Sequence, residues 1–445
     1  MTDCLGVRRD RPSNGLVHSP YAERVEHADT RSAGLPRRVL FVESGPGNGG
    51  SAFSLLRLVN SLDRARYQPH VVVFHDAAAF EQIRSLGVPV ETIRLLRPFS
   101  EPLPEDRPLW TKARNYCSFY GNLGADTLYN GIRVARYVRR QSIDLVHLNN
   151  GILENLSGAF AARLTRIPCV SHVRGTERFM KIEKYCAAWL AAVVTLNRTM
   201  RDDYIPVLGE EKVHIIFNGV DLDATRNANP QRIREEFKIL PGTLAVGTFA
   251  RLVEGKGIPE FIATASKVSK EHARSRFFII GDESTKDGVF ESRMRKCAED
   301  LGVGPRLVFT GWRGDRFDIM AAMDVVLQIS TTFPEGMSLA PLEAMALGKP
   351  VIVTDIPGYE FSVDDGRTGF VVAPGDIEAL AERVLMLARD RDLACRIGRA
   401  GYEKAIREFD IRRTARRVEE LYDQVLKRNE AGWRSHGVAA CEEQP

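Results

Sequence analysis

The chain alternates short continuous apolar runs with longer segments of helical apolar periodicity, and this pattern predicts its elements. In the first half, buried-strand patterns lie at 39–44, 70–74, 88–93, 143–150, 167–176, 192–197 and 213–223. In the second half, they lie at 244–251, 277–282, 307–312, 324–330, 351–355 and 370–374. Such runs separated by amphipathic helices are typical of parallel sheets with helices on both faces. The sequence therefore predicts an α/β protein with two similar sheets.

Its length of 445 residues also exceeds what one hydrophobic core ordinarily supports, so two domains are expected. The polar, mixed-charge start is typical of a disordered leader, and the strand pattern restarts after a polar segment at Asp223 to Pro230. The predicted organisation is a leader at 1–36, a first domain at 37–223, a second domain at 224–400, and at 401–445 helices that pack back on the first domain, with a tail.

Residues 94–140 interrupt the pattern and mix aromatic residues with prolines and an excess of basic residues. The aromatic positions are Trp110, Tyr116, Phe119, Tyr120, Tyr129 and Tyr137. Two interpretations stay open: a helical insertion that packs its aromatics internally, or a surface that contacts an anionic membrane. Nucleic acid is not an expected partner, because no binding motif accompanies the charge.

Seven cysteines are scattered without a C-x-x-C pair, and their odd number favours free thiols in a reducing compartment. The longest apolar run, at 186–196, is shorter than the ~20 residues of a membrane helix. We therefore expect a cytoplasmic protein, which would lie at the inner face of the membrane if the insertion contacts lipid.

The segment Phe333 to Val353, FPEGMSLAPLEAMALGKPVIV, carries the strongest chemical signal. Glu335 lies in a loop and Glu343 in a short helix for which Ser338 is the predicted N-cap and Gly348 the C-terminal glycine. The free N–H groups of such a helix start suit an anion, and Glu343 could accept hydrogen bonds from a polyol such as ribose.

Other strand ends offer further candidates. The loop GPGNGGS at 45–51 suits phosphate, although it is neither a P-loop nor a G-x-G-x-x-G motif, and a ligand-free turn stays an alternative. Arg251 and Lys256 on one strand-to-helix connection could clamp a diphosphate, or could be ordinary solvated residues. His147 and His172 end two successive strands, where parallel sheets bind ligands, but either could be structural.

Taken with GPGNGG, the strand-end His172, NGVD, FARLVEGKG, IIGD and FTGW, the block EGMSLAPLEAMALGKPV resembles the GT-B glycosyltransferases, specifically the retaining family 4, or group 1, enzymes. The resemblance covers most of 38–429. It implies two Rossmann-like, doubly wound domains that face a central cleft, with a C-terminal helix that crosses back.

The resemblance also implies roles for single residues. Arg251 and Lys256 would hold the donor's diphosphate, Glu343 its ribose and Glu335 its sugar, beside His172. The remaining nucleotide-sugar-binding residues implied by the motifs are Gly49, Gly50, Asn218, Gly281, Trp312, Gly336, Met337, Ser338 and Leu339. The chain departs from the family pattern at EGMS, where EGFG or EPFG is frequent, and at Ser51-Ala52, where an acidic residue often lies.

The implied function is the retaining transfer of a sugar from a UDP- or GDP-sugar to a lipid-linked or polysaccharide acceptor of cell-envelope or exopolysaccharide synthesis. Negative charge builds on the leaving phosphate, so cations and helix N–H groups are the expected catalysts, with no metal and no cofactor. The alternatives are a catalytically silent partner that binds sugar nucleotide or glycan, a glycoside hydrolase that uses both glutamates, and a phosphorylase, which would need pyridoxal phosphate.

Overall fold

The computed structural model describes residues 35–45, 49–93, 109–175, 181–283, 287–333 and 335–439, with side chains outside 109–123, 181–183 and 431–439. The predicted leader up to residue 34, the first part of the insertion at 94–108 and the centre of the glycine loop at 46–48 lie outside the described residues.

The first sheet has seven parallel strands in the order β3-β2-β1-β4-β5-β6-β7. The strands are β1 (Arg37–Glu43), β2 (Tyr67–Val73), β3 (Val90–Thr92), β4 (Leu145–Leu148), β5 (Cys169–His172), β6 (Ala192–Thr195) and β7 (Val213–Ile215). The helices that connect them are α1 (Gly50–Ser61), α2 (Ala78–Ser85), α3 (Leu109–Arg140), α4 (Leu156–Thr165), α5 (Lys181–Ala187) and α6 (Arg198–Leu208).

Two short helices, α7 (Leu222–Arg226) and α8 (Pro230–Glu236), lead to a second sheet of six parallel strands in the order β10-β9-β8-β11-β12-β13. Its strands are β8 (Leu244–Phe249), β9 (Ser275–Ile280), β10 (Leu307–Gly311), β11 (Val325–Gln328), β12 (Val351–Thr354) and β13 (Phe370–Val372). Its helices are α9 (Ile258–Glu271), α10 (Val289–Asp300), α11 (Arg316–Ala322), α12 (Leu339–Ala346) and α13 (Ile377–Arg389), followed by α14 (Arg391–Glu408) and α15 (Ile411–Ala439).

Alternate residues of each strand enter different cores, as a sheet covered on both faces requires. On β1, Val39 and Phe41 join the cluster that contains α1, α2 and α15. Leu40 and Val42 join the cluster that contains α3 and α4, and this cluster continues into α11 and α12 of the second domain. The prediction of an α/β fold with two parallel sheets is confirmed.

The motif NGVD marks the point where α15 crosses back to the first domain. Val220 N–H donates to the carbonyl of Phe409 at 2.7 Å, and Ile411 N–H donates to the carbonyl of Val220 at 3.1 Å. A Cβ at Gly219 would lie 2.4 Å from the Ile411 Cα, so only glycine allows this approach. Asp221 then caps α7, since its side chain accepts from the N–H of Asp223.

In the described part of the predicted insertion, residues 109–140 form one long helix, α3. Its last turns pack internally through Val134 and Val138, and the Tyr137 hydroxyl lies 3.1 Å from His70 Nδ1. Leu128 and Tyr129 are 55% and 45% exposed, so this helix also presents apolar side chains to solvent. The side chains of the other four predicted aromatics lie outside the described residues.

Within the described residues, no helix is both long and apolar enough to span a bilayer. Cys169 and Cys297 are free thiols, as expected, but the expectation is wrong for Cys395, which is disulfide-bonded.

Candidate functional site

The loop between β11 and α12 carries the two glutamates of the E-x7-E block. Ser338 is the N-cap residue of α12 by its extended backbone, although its hydroxyl makes no capping bond, and Gly348 beyond the helix has φ of 68°. The N–H groups of Ser338 and Leu339 precede the first intrahelical hydrogen bond and can donate to a ligand. The helix start is therefore suited to an anion.

Lys256 and Glu335 form a buried ion pair at this edge of the second sheet. The Lys256 Nζ lies 2.5 Å from Glu335 Oε1, and the two residues are 8% and 7% exposed. The same oxygen accepts from the Ser330 hydroxyl at 2.7 Å and lies 3.4 Å from the Tyr359 hydroxyl. Burial lowers the pKa of Lys256, and the carboxylate of Glu335 opposes this effect.

Arg251 lies beside this pair. Its guanidinium carbon is 5.4 Å from the centre of the Phe333 ring, and Lys256 Nζ is 3.8 Å from the same centre. The carbonyl of Gly255 accepts from the N–H of Thr331 at 2.7 Å, which ties the lysine loop to the loop that precedes Glu335. Arg251 is exposed, so its charge is available to a ligand.

Glu343 is bound by two arginines that come from different domains. Arg57 of α1 donates from Nη2 to Glu343 Oε1, and Arg316 of α11 donates from Nε to the same oxygen at 3.3 Å. Glu343 is 4% exposed. Burial alone would raise its pKa, but the two guanidinium groups outweigh burial and hold the pKa below its ordinary value.

On the first domain, a buried polar network lies at the carboxyl ends of β1, β4 and β5. Glu43 is fully buried, which raises its pKa, and its carboxylate accepts from the side-chain amides of Asn149 and Asn150 and from Gly45 N–H. Arg174 donates from Nη2 to Asn149 Oδ1 at 2.7 Å. The glycine loop and the ends of three strands are thereby held together.

This network continues across the cleft. Arg174 Nη1 donates to Asn218 Oδ1 at 2.8 Å, and Asn218 Nδ2 donates to the carbonyl of Met337 at 2.9 Å. Asn197 Nδ2 donates to the carbonyl of Gly336 at 2.7 Å. The loop that bears Glu335 is therefore bonded directly to the first domain, and the cleft is closed at this point.

His172 and His147 lie beneath this network. Each is at most 1% exposed, their ring centres are 5.6 Å apart, and the Nε2 atom of each has no hydrogen-bond partner among the described residues. Burial lowers the pKa of His147 to about 3 and that of His172 well below its ordinary value. The Tyr422 hydroxyl of α15 lies 2.7 Å from His147 Nδ1. Both rings are neutral, and a role for His172 beside the donor sugar stays a prediction.

The other predicted residues lie at a helix start and at strand ends. Gly49 caps α1 and Gly50 begins it, and a Cβ at either would meet no atom of the described residues within 4 Å. Gly281, after β9, has φ of 152°, and a Cβ there would lie 1.8 Å from the carbonyl of Ala250, so this strand end requires glycine. Trp312, after β10, is 48% exposed.

The structure brings Arg251, Lys256, Glu335 and the start of α12 together, while Glu343 lies one helical turn deeper among arginines. Sequence reasoning missed Arg57, Arg316 and Tyr359 and gave Arg174 no role. The strand-end position of Arg174 was the available signal. Arg57 offered none, because an arginine within an amphipathic helix ordinarily faces solvent.

Residues 242–390 match the family model described as glycosyl transferases group 1. Residues 48–224 match the model described as glycosyltransferase family 4. Together these models cover most of both domains. The chain belongs to the family 4 glycosyltransferases.

Two characterised relatives of this glycosyltransferase are bacterial. UDP-Gal:alpha-D-GlcNAc-diphosphoundecaprenol alpha-1,3-galactosyltransferase of Escherichia coli is 27% identical over 319 residues, which are 67% of this chain and 80% of the relative. The capsular polysaccharide biosynthesis glycosyltransferase CapM of Staphylococcus aureus is 26% identical over 296 residues, which are 62% of this chain and 75% of CapM.

Among solved structures, Anabaena HepE in complex with UDP and glucose superposes with a TM-score of 0.72 at 22% identity, covering 87% of this chain and 100% of HepE. The glycosyltransferase therefore has the GT-B fold, as its sequence motifs imply.

Proposed function

We propose that this glycosyltransferase moves a sugar from a UDP- or GDP-sugar to a lipid-linked or polysaccharide acceptor, with retention at the anomeric carbon. One observation carries the donor assignment. Lys256, Arg251 and the free N–H groups at the start of α12 converge beside Glu335, which provides cations, amides and a carboxylate at a single strand edge. A sugar diphosphate needs this combination of groups.

Departure of the diphosphate concentrates negative charge on its oxygens. Lys256 and Arg251 stabilise that charge together with the N–H groups of Ser338 and Leu339, so the leaving group needs neither metal nor protonation. Donor binding breaks the ion pair between Lys256 and Glu335. The ammonium group then binds the diphosphate, and the carboxylate accepts hydrogen bonds from hydroxyls of the sugar. The acceptor attacks from the face that the diphosphate leaves, and no protein nucleophile is assigned.

Closure of the cleft excludes water from this reaction. The bonds from Asn218 and Asn197 to the loop at 336–337 hold the domains together. An activated sugar held in such a closed site is protected from hydrolysis.

The two glutamates are poorly suited to glycoside hydrolysis. That reaction needs one carboxyl group kept protonated as a general acid. The two arginines hold the pKa of Glu343 below its ordinary value, and Glu335 is paired with a lysine. The general-acid role is therefore unfavourable for Glu343, and the Glu335 carboxylate is occupied by the lysine.

The acceptor assignment draws on the relatives. The Escherichia coli relative is named for a diphosphoundecaprenol-linked substrate, and CapM for capsular polysaccharide biosynthesis. A lipid-linked acceptor requires access to the membrane surface, and we place the enzyme at the inner, cytoplasmic face. The exposed Leu128 and Tyr129 of α3, with Arg136 and Arg139 on the same helix, are suited to that contact.

The basic helix α15 and α3 cannot both contact the same membrane surface, because the two helices pack on opposite faces of the first sheet. This arrangement supplies a matched control. Replacing Arg136 and Arg139 by glutamate should abolish cosedimentation with phosphatidylglycerol vesicles, whereas replacing Arg413 and Arg416 of α15 by glutamate should not. Equal binding by both variants would refute the membrane contact.

The transferase proposal is tested with a panel of UDP- and GDP-sugars and a membrane extract that supplies lipid-linked acceptors. We expect one donor to raise the melting temperature by mass action and its labelled sugar to enter the lipid fraction, with chelator present. Binding without transfer to any acceptor would instead indicate a silent binding partner, and release of sugar from glycans without nucleotide would indicate a hydrolase. Activity that requires added divalent metal would refute the metal-free mechanism.

A further inference from the structure

Helix α1 of the first domain presents an aromatic and a basic side chain to the second domain. Phe53 and Arg57 are one turn apart on this helix, and Arg57 is only 7% exposed. The guanidinium of Arg316 lies 5.0 Å from the centre of the Phe53 ring, while that of Arg57 reaches Glu343. Arg57 of the first domain thus contacts the carboxylate that the family motif assigns to ribose, and Phe53 contacts the second arginine bound to that carboxylate.

The arrangement leaves one carboxylate oxygen available. Both guanidinium contacts fall on Glu343 Oε1, and no described residue bonds to Oε2. Because a carboxylate is planar, fixing Oε1 from two sides also fixes the direction of Oε2. One carboxylate also faces two guanidinium groups, so the cluster carries an excess positive charge that favours the ionised form of Glu343.

Burying Arg57 beside Arg316 costs free energy, and packing of the interface does not require an arginine at this position. Burial lowers the pKa of Arg57, and the neighbouring Arg316 lowers it further, so a desolvated arginine is held beside a second positive charge. An apolar residue at position 57 could fill the same interface without that cost. The cost is explained if Arg57 holds the Glu343 carboxylate in the orientation that a ligand requires.

We propose that Arg57 is a positioning residue of the donor site, which orients Glu343 so that Oε2 accepts hydrogen bonds from the ribose hydroxyls. This inference rests on the proposed function, since it takes Glu343 as the ribose ligand. It makes ribose recognition a property of both domains: α1 begins directly after Gly49, so the helix whose start faces the cleft also aims the ribose carboxylate.

Calorimetry with matched nucleotides separates this role from a structural one. UDP and 2′,3′-dideoxy-UDP, and the corresponding guanine pair, are titrated into the parent protein and four variants: Arg57→Met, Arg57→Lys, Glu343→Ala and Arg64→Met. Arg64 is an exposed arginine in the loop that follows α1, so its replacement is the matched control.

The parent should prefer the ribose form by roughly ten- to hundredfold, the scale of hydrogen bonds to a charged group. Arg57→Met should lose about tenfold in affinity for the ribose form but stay within twofold for the dideoxy form. Arg57→Lys should fall between parent and Met, and Arg64→Met should match the parent. A merely structural Arg57 would weaken both nucleotides equally.

An unchanged ribose preference in folded Arg57→Met protein overturns the proposal. Tighter UDP binding by this variant also overturns it, because it would show that Arg57 competes with the ribose for Glu343. If the Arg57→Met variant does not fold, the Arg57→Lys variant is judged by the same ratio of affinities for the ribose and dideoxy nucleotides. Glu343→Ala tests the underlying assignment: if it keeps the full ribose preference, the ribose role of Glu343 fails, whatever Arg57 does.

Discussion

The carbonyl oxygen of Arg174 lies where any side chain at position 336 would begin. A Cβ built on Gly336 would be 2.0 Å from that oxygen, closer than real contacts allow. Gly336, in the loop between β11 and α12, is therefore a contact between the two domains, and its lack of a side chain lets the cleft close. The same loop is bonded to Asn197 and, through Met337, to Asn218.

Replacing Gly336 by alanine should therefore hold the domains apart. Because the obstacle is backbone, relief requires a shift of a whole strand end, and we expect sugar transfer to fall by at least tenfold, as a 1 Å misplacement can cost ~10²-fold. Small-angle scattering should report a larger radius of gyration. Gly124→Ala in α3, where a Cβ meets no atom of the described part of the chain within 4 Å, is the control and should keep full activity.

Removing the ammonium group of Lys256 should slow transfer by about 10²-fold or more, the scale of losing one stabiliser of transition-state charge. Steady-state kinetics with the preferred donor measures the change in kcat. Lys267→Ala removes an exposed lysine of α9 that pairs with Glu378, and should have no effect. Activity of Lys256→Ala within twofold of the parent would contradict the diphosphate assignment.

The features of the fold that depend on local sequence pattern were predicted from the sequence. The strand periodicity predicted both sheets, and the spacing of Glu335 and Glu343 with Gly348 predicted the loop and helix that carry them. The family resemblance implied that Lys256 and Glu335 serve one donor site. They lie close together because their loops follow β8 and β11, which are neighbouring parallel strands of one sheet.

Contacts between the domains could not be predicted in this way. Arg57 meets Glu343 across 286 positions of sequence, and the meeting depends on how two separately folded sheets are oriented. Asn218 was expected at the nucleotide, yet its amide lies between Arg174 and Met337. His172 ends a strand, as expected, but strand alternation directs its ring into the buried layer, which a motif does not reveal.

Tyr422 of α15 should stabilise the first domain through its bond to His147. Tyr422→Phe leaves His147 Nδ1 buried without that partner, which should cost about 1–3 kcal/mol of unfolding free energy. Urea denaturation followed by circular dichroism measures the loss. Tyr185→Phe, at a side chain 78% exposed, is the control, and an equal effect of the two substitutions would argue against the role of the buried bond.

The buried histidines predict a loss of stability in acid. Burial lowers the pKa of His147 from 6.5 to about 3 and lowers that of His172 as well, so in acid these two side chains bind more protons in the unfolded chain than in the folded chain. Stability should thus be full above about pH 6.5 and should fall as pH decreases, by up to about 1.4 kcal/mol per unit for each histidine.

Unfolding free energies in urea at pH 7, 6 and 5 test this dependence. In His147→Gln protein, which lacks one of these groups, the slope of stability against pH should be smaller than that of the parent in this interval. Replacing His75, an exposed histidine that follows β2, by glutamine is the control for the substitution itself. A parent protein whose stability is flat from pH 7 to pH 5 would show that the two rings are not held neutral by burial.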